Sequence, residues 1–355
     1  MKLLAFSDLH AHPHKQGARM LETGVNSRMQ DCINAMDEVF QYAYDHDIKY
    51  VLFGGDLFHK RNWLDTSAAN LVYDLLGKWS EAGILMIGIP GNHDQYDQQG
   101  RVHSMGSFVS DCCHVINEPE WVRMGKGVYV FGVPHTHDAD KFRELIATGI
   151  KSRPAKAKKA IALFHTGVDG ARVGIGRKGT FKLTSEVSIK DLCAETFDLV
   201  LLGDYHLPQH VGGNVHYIGA LLQHSWGDQL EERGFMEIDT DSWSITRIPT
   251  LSPRFLVISP EELDRVSPGD FVKVLFETQP SQACVDDLRG QLSHAQTVEI
   301  TVPKQQLTNH QRKAVINLAM QRKEILERYT SHVVAKASQD VDYLLQKGVE
   351  LLEEG

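Results

Sequence analysis

The feature that most constrains the fold is a series of short apolar runs, each followed at once by polar residues. The runs span 3–6, 50–53, 84–89, 128–133, 161–164, 199–202 and 215–218. Their length of four to six residues and their lack of polar alternation predict strands that are buried on both faces.

Two stretches between the early runs show helical spacing of apolar residues. The first comprises Ile33, Met36, Val39, Phe40 and Ala43, and the second comprises Ala69, Val72, Leu75, Leu76 and Trp79. Alternation of strand and helix predicts a layered α/β domain. Because the later runs lie closer together, we expect part of the structure to be antiparallel.

The chain of 355 residues is longer than one hydrophobic core usually supports, so a large domain with an appendage is expected. A hairpin over 235–248 precedes Pro249 and Pro253, which places the first boundary near residue 250. Residues 251–304 contain a predicted β-α-β unit with strands at 271–276 and 297–302. Residues 305–355 read as two helices, at 307–329 and 333–352. We therefore predict domains at 1–250 and 251–304 and a helical tail at 305–355.

Bulk properties favour a cytoplasmic protein. The five cysteines are odd in number and form no Cys-x-x-Cys pair, which predicts reduced thiols. The first apolar run stops at Ser7, which is too early for a signal peptide. No apolar run approaches the length of a membrane span, about 18 residues, so no membrane partner is expected. The net charge of −9 disfavours wholesale nucleic-acid coating, although bound divalent cations or a local basic patch could still attract phosphate.

Histidine, aspartate and asparagine residues cluster directly after five of the predicted strands. They are Asp8 and His10, Asp56 and His59, Asn92 and His93, His165, and Asp204 and His206. Each group taken alone is better explained as a turn or a structural histidine, since the chain has 18 histidines. Because the carboxyl ends of parallel strands share one edge of a sheet, the five groups together are expected to converge.

The chemistry of this set indicates divalent metal ions. Imidazole, carboxylate and carboxamide ligands suit Mn²⁺, Fe²⁺ or Zn²⁺, and Mg²⁺ is also compatible. The set is large enough for two ions with one carboxylate shared between them. Such a pair can clamp a phosphate and activate water near neutral pH.

The ordered motifs D-x-H, G-D, G-N-H-D, a lone H and G-D-x-H resemble the calcineurin-like metallophosphoesterase superfamily, in which the last motif is G-H-x-H, over roughly the first 225 residues. Within it the sequence is most similar to SbcD-type DNA repair nuclease subunits. That match rests on His59 three residues after Asp56, the segment 217–220, and Arg233-Gly234-Phe235. The resemblance implies a layered β-sandwich flanked by helices, a small α+β capping domain and a helical tail that binds an ATPase.

The resemblance also implies roles for individual residues. Asp8, His10 and His206 would hold one metal ion, Asn92, His165 and Asp204 the second, and Asp56 would bridge them. His93 would be the catalytic histidine, and His59 would help to place the DNA backbone. The family has histidine at position 204, so Asp204 is a departure. We expect it to be a carboxylate ligand that favours Mn²⁺; the alternative is that it points away.

The function that follows from the resemblance is a two-metal DNA phosphodiesterase, acting as exonuclease and endonuclease in repair, recombination or replication. An SbcC-type coiled-coil ATPase would bind the C-terminal helices, and a homodimer is expected. One alternative is a phosphatase acting on phosphoproteins or small phosphodiesters. A second alternative is an inactive scaffold with the same fold.

Basic residues in two segments are candidate DNA contacts. They are Lys60, Arg61, Arg172, Arg177, Lys178 and Lys182. The second segment has glycines at 170, 174, 176 and 179, which suits a flexible loop approaching a phosphate backbone. A solvated surface loop explains the same composition equally well.

Overall fold

The computed structural model describes residues 1–97, 100–108, 110, 112–176, 179–182, 184–229 and 232–302. For residues 175–176 and 179–182 it describes the backbone alone. Met1–Thr301 form one compact unit. The two predicted C-terminal helices lie outside the described residues, and the three predicted domain bounds stay a prediction.

The first sheet has six strands in the order β14-β13-β1-β2-β3-β4. The strands are β1 (Lys2–Phe6), β2 (Tyr50–Phe53), β3 (Leu85–Gly88), β4 (Cys113–Val115), β13 (Gly234–Asp239) and β14 (Ser244–Pro249). Strands β1 to β4 are parallel, while β13 pairs antiparallel with β1 and with β14.

The second sheet also has six strands, in the order β11-β12-β10-β7-β6-β5. They are β5 (Glu120–Gly125), β6 (Val128–Val133), β7 (Lys159–His165), β10 (Leu199–Gly203), β11 (Gln209–Gly212) and β12 (Val215–Tyr217). The four central strands are parallel, and β5 and β11 are antiparallel edges, as the shorter spacing of the later runs predicts.

Three helices cover the outer faces of the two sheets. They are α1 (Ser27–Asp45), α2 (Thr66–Glu81) and α3 (Ala139–Lys151), with N-caps Asn26, Asp65 and Asp138. Leu4 and Phe6 of β1 pack in one core with α1 and α2, whereas Leu3 and Ala5 lie in a second core with Ile161 and Leu163 of β7. Ala162 and Phe164 pack with α3 in a third core. The predicted sandwich flanked by helices is therefore confirmed.

Smaller elements complete the described chain. A two-stranded hairpin consists of β8 (Arg172–Gly176) and β9 (Gly179–Lys182). A parallel three-stranded sheet has the order β15-β16-β17, with β15 (Phe255–Ile258), β16 (Phe271–Leu275) and β17 (Thr297–Thr301), and α4 (Gln282–Gln291) connects the last two strands. The predicted β-α-β unit is present, and β15 adds a strand that the sequence analysis missed.

Arg28 of α1 joins this small sheet to the sandwich. Its side chain is buried, and its guanidinium carbon lies 5.1 Å and 4.7 Å from the ring centroids of Phe255 and Phe271. It also donates hydrogen bonds to the carbonyl oxygens of His224 (3.1 Å) and Gln16 (3.2 Å). Arg28 thereby connects the small sheet to the loop after β1, which contains Gln16, and to the loop before β13, which contains His224.

Candidate metal centre

The predicted site residues meet at one edge of the sandwich. Asp8 and His10 follow β1, Asp56 follows β2, and Asn92 and His93 follow β3 in the first sheet. His165 ends β7, and Asp204 and His206 follow β10 in the second sheet. Since both sheets present the carboxyl ends of their parallel strands here, residues up to 198 positions apart become neighbours.

Two groups of potential ligand atoms share this edge. Asp8, His10 and His206 each place one such atom within 4.8 Å of the others, and so do Asp8, Asp56 and His165. Asp8 belongs to both groups and is fully buried, as is His165. The geometry therefore contains two adjacent positions that a metal ion could occupy.

Asp56 lies between the two positions. Its Oδ2 is 3.6 Å from Nε2 of His10, and its Oδ1 is 3.5 Å from Nε2 of His165. The backbone N–H of His93 donates to Oδ1 at 2.8 Å. Each carboxylate oxygen thus faces a different histidine, which is the arrangement that a bridging ligand requires.

The second position is formed around His165. Its Nδ1 donates to the carbonyl of Gly54 at 2.6 Å, which fixes the tautomer and orients the ring. Its Nε2 lies 3.2 Å from Oδ1 of Asn92 and 3.8 Å from Oδ1 of Asp204. The predicted trio of Asn92, His165 and Asp204 is therefore brought together.

The first position is formed around His10 and His206, whose Nε2 atoms are 3.0 Å apart. Nδ1 of His206 lies 3.4 Å from Oδ1 of Asp228, and Asp228 also pairs with Arg233 at 3.3 Å. Burial opposes a charge on His206, but Asp228 raises the pKa of its imidazole. Asp228 thus orients His206 from behind, a role that the sequence analysis missed because a single aspartate in a loop carries no motif.

The electrostatics of the site suit cations. Burial raises the pKa of Asp8 to about 6, and its Oδ2 has no hydrogen-bond partner among the described residues. Burial also disfavours a charged His165, yet Asp56, Asp8 and Asp204 together raise its pKa to about 10. Three carboxylates close together in a largely buried site are stable only if positive charge balances them. The oxygen and nitrogen donors present here fit a pair of divalent metal ions.

The backbone has a positive φ angle at four of the seven predicted ligands. The φ angles of Asp8, His10, Asp56 and Asp204 are +52°, +48°, +61° and +90°. Such values are uncommon for residues with a side chain and concentrate at functional sites. A Cβ at Gly91 would collide with Oδ1 of Asp56, so the glycine of the G-N-H-D motif is required by this close approach.

Asp94 holds the loops that carry these residues. Its buried carboxylate accepts backbone hydrogen bonds from Asp56 (2.8 Å), Leu57 (3.0 Å), Phe58 (3.2 Å) and Gly91 (2.9 Å). The loops after β2 and β3 are thus tied together by one side chain. The sequence analysis gave Asp94 no role, although its place in the G-N-H-D motif was a usable signal.

His93 and His59 lie beside the first position. Nδ1 of His93 donates to the carbonyl of His59 at 2.7 Å, and the two rings stack with centroids 5.5 Å apart. His10, His59 and His93 form a further group with nitrogen atoms within 4.8 Å of one another. Since Nδ1 of His93 is committed to a carbonyl, its Nε2 is the nitrogen available to a substrate.

The predicted DNA contacts are only partly described. Lys60 and Arg61 are exposed and follow His59 directly, and Arg172 is half-buried in β8 on the second sheet's side. Arg177 and Lys178 lie outside the described residues, and the side chain of Lys182 is not described. Trp63, which the sequence analysis did not select, is 54% exposed next to Lys60 and Arg61.

Comparisons with known proteins show what the chain is similar to. A family model described as calcineurin-like phosphoesterase matches residues 1–208. The chain is 24% identical over 170 residues to the DNA double-strand break repair protein Mre11 of Saccharolobus solfataricus, covering 47% of this chain and 42% of that protein. It is 26% identical over 235 residues to the Mre11 protein of Haloferax volcanii, covering 62% and 47%. The chain therefore spans less than half the length of these curated relatives.

A solved structure, TT1561 of Thermus thermophilus, is 15% identical to this chain, with a TM-score of 0.43. The match covers 70% of this chain and 98% of that one.

No described helix is long and apolar enough to cross a membrane. All five cysteines are free thiols.

Proposed function

The chain belongs to the calcineurin-like phosphoesterase family, and on this premise we propose that it hydrolyses phosphodiester bonds in DNA with two divalent metal ions. The observation that carries the proposal is the position of Asp56, with one oxygen 3.6 Å from His10 and the other 3.5 Å from His165. A carboxylate between two groups of ligand atoms is what a two-ion site needs.

Each ion would be held by its own set of residues, with Asp56 shared. Asp8, His10 and His206 would hold one ion, and Asn92, His165 and Asp204 the other. When bound, the two ions supply charge for the phosphate oxygens and an activated water. Mn²⁺ is the ion we propose, because the set combines several carboxylate and amide oxygens with imidazole nitrogens.

His93 is proposed to donate a proton to the leaving oxygen. Its Nδ1–H is fixed on the carbonyl of His59, so the ring is oriented before substrate arrives. The backbone N–H of the same residue holds Oδ1 of Asp56, which couples the ring's position to the bridging carboxylate. His59 stacks on His93 and leads into Lys60 and Arg61, where the DNA backbone would pass.

Three observations favour DNA over a phosphoprotein or a small diester. Two relatives are named DNA double-strand break repair proteins. Lys60 and Arg61 are exposed cations beside His59 on a chain with net charge −9. Trp63 is an exposed ring that packs edge-on against His12, with ring centroids 5.8 Å apart. The rings of His12 and His59 have centroids 5.4 Å apart, and His59 stacks on His93. A row of rings therefore leads from the surface toward His93. Exposed aromatic rings beside cations suit unpaired nucleotides.

A coiled-coil ATPase partner and a homodimer are further parts of the proposal. Both rest on the resemblance to SbcD-type nucleases, and the segment proposed to bind the ATPase, 305–355, lies outside the described residues. Co-purification of an SbcC-type partner with the full chain and with a chain ending at residue 304 tests this part. Equal recovery of the partner by both would contradict it.

The first experiment is Mn²⁺-dependent cleavage of labelled single- and double-stranded DNA, beside an aryl phosphodiester and a phosphopeptide. We expect DNA cleavage by the wild type and its loss in His93→Ala with bound metal unchanged. Cleavage of the small diester or the phosphopeptide alone would keep the family activity and refute the nuclease. No turnover by the wild type, with metal bound, would favour an inactive scaffold.

A further inference from the structure

A further group of side chains that could bind a metal ion lies behind the predicted ligands of the first ion. His14, Cys32 and His224 each place one potential ligand atom within 4.8 Å of the others. They come from three separate segments, which are the loop after β1, helix α1 and the loop before β13. The sequence analysis assigned none of the three to a site, because nothing in their spacing indicates that they meet.

Both histidine rings of this group are anchored in the same way. Nε2 of His14 lies 3.2 Å from the carbonyl oxygen of His10, and Nε2 of His224 lies 3.1 Å from the carbonyl oxygen of Asp8. A carbonyl oxygen only accepts, so each ring carries its proton on Nε2 and keeps a lone pair on Nδ1. An imidazole that donates one N–H to a backbone carbonyl is the usual form of a metal-bound histidine.

His224 and Cys32 both carry donor atoms that are shielded from solvent. Nδ1 of His224 is buried and has no hydrogen-bond partner among the described residues. A buried ring nitrogen left without a partner destabilises the folded chain. The Cys32 side chain is 1% exposed and is a free thiol. A bound ion would engage both atoms at once.

We propose that Cys32, His14 and His224 form a third metal site, distinct from the dinuclear centre, that takes a Zn²⁺-type ion. Thiolate and imidazole donors favour Zn²⁺ and disfavour Mn²⁺ and Mg²⁺, whereas the neighbouring centre is rich in oxygen donors. Three protein ligands leave a fourth tetrahedral position for water. On binding, the Cys32 sulfur gives up its proton to solvent and becomes a thiolate ligand.

The consequence of such an ion would be structural. His14 and His224 hold the carbonyl groups of His10 and Asp8, which are predicted ligands of the first ion. An ion that fixes the two rings therefore fixes the backbone of that loop, where Asp8 and His10 have φ values of +52° and +48°. This structural role would be the same whether or not DNA is the substrate and an ATPase is the partner.

The test uses Co²⁺ as the probe on the full-length, metal-free chain. Thiolate-bound Co²⁺ gives a near-ultraviolet charge-transfer band that imidazole- and carboxylate-bound Co²⁺ lacks. We expect this band in the wild type, its loss in Cys32→Ser, and its retention in Cys112→Ser. Cys112 is a matched control, because it is also buried and its Sγ donates to the carbonyl of Leu76, away from this group.

A second variant protects the test against misfolding of Cys32→Ser. His14→Ala changes a half-buried residue, and elemental analysis should show one bound ion fewer per chain than in the wild type. A wild type without the band at saturating Co²⁺, or a band that survives in Cys32→Ser, would overturn the third site. Loss of ions in Asp56→Asn with the band intact would separate a failure of the dinuclear centre from a failure of this site.

Discussion

Oδ1 of Asp204 lies 3.8 Å from Nε2 of His165, at a position where the resemblance to SbcD-type nucleases predicts histidine. The carboxylate therefore reaches the place where an imidazole ligand is expected. Burial raises the pKa of Asp204, while the positive charge of His165 opposes that shift. The substitution keeps a ligand-capable atom at the second position and adds negative charge to the site.

Asp204→Ala should lower metal occupancy of the second position. The variant removes one of the oxygen donors near His165, so the dinuclear centre should retain about one ion instead of two at limiting Mn²⁺. Equilibrium dialysis with metal analysis measures this. Asp204→His should restore occupancy, and Asp169→Ala, which alters an exposed aspartate, is the control. Unchanged two-ion occupancy in Asp204→Ala would exclude Asp204 as a ligand.

Asp94→Asn should destabilise the loops that carry Asp56 and Asn92. The amide retains one acceptor oxygen but turns an N–H₂ group toward backbone donors that need an acceptor. We expect the free energy of unfolding to fall by roughly 2–3 kcal/mol, in line with unsatisfied buried groups. Urea denaturation measures the change, and Asp45→Asn at the exposed end of α1 serves as control. Wild-type stability of Asp94→Asn would show that the four backbone contacts are dispensable.

Trp63→Ala should weaken single-stranded DNA binding without affecting chemistry. Stacking of a base on an aromatic ring contributes about 1–3 kcal/mol, so KM for single-stranded DNA should rise roughly 5- to 150-fold. The kcat for an aryl phosphodiester should stay unchanged, and Trp63→Phe should recover most of the loss. Tyr73→Ala is the matched control, because it also removes an exposed aromatic ring, one that lies on α2. An unaltered KM in Trp63→Ala would remove the ring from substrate binding.

Asp31→Asn should change how stability depends on pH. Burial raises the pKa of Asp31 to about 6, against the attraction of Arg28 at 4.0 Å, while the unfolded value is about 3.8. Between pH 4 and 6 the folded chain keeps a proton that the unfolded chain loses, so this group lowers stability progressively as pH rises through that window.

Above pH 6 the penalty is complete and amounts to about 1–3 kcal/mol. The variant should therefore gain stability relative to the wild type at pH 7, and the gain should shrink toward pH 4. Urea unfolding of both proteins at pH 4, 5 and 7 checks the trend. A difference that is constant across these values would contradict the assigned pKa.

The strands show how much of the fold follows from local pattern. The predicted runs at 50–53 and 128–133 coincide with β2 and β6 residue for residue, because a buried strand needs a continuous apolar segment of that length. The short β4 and the helix α3 were missed. β4 has only three residues, too few to stand out as an apolar run. Helix α3 does carry apolar residues at helical spacing, namely Phe142, Leu145, Ile146 and Ile150, and the sequence prediction did not use this signal.

The sequence by itself determined which residues are candidates for the proposed dinuclear centre. Asp8, Asp56, Asn92, His165 and Asp204 each follow or end an apolar run, and parallel strands place such residues on a common edge for topological reasons. Only the tertiary structure decided how they are oriented and supported. Three sets of contacts join segments that share no sequence motif. They are the contact of Asp228 with His206, the hydrogen bond of Asp94 to the backbone of Asp56, and the group of His14, Cys32 and His224. Hydrophobic periodicity is a local property of the sequence, whereas these contacts depend on loop conformations that exist only once the two sheets have packed together.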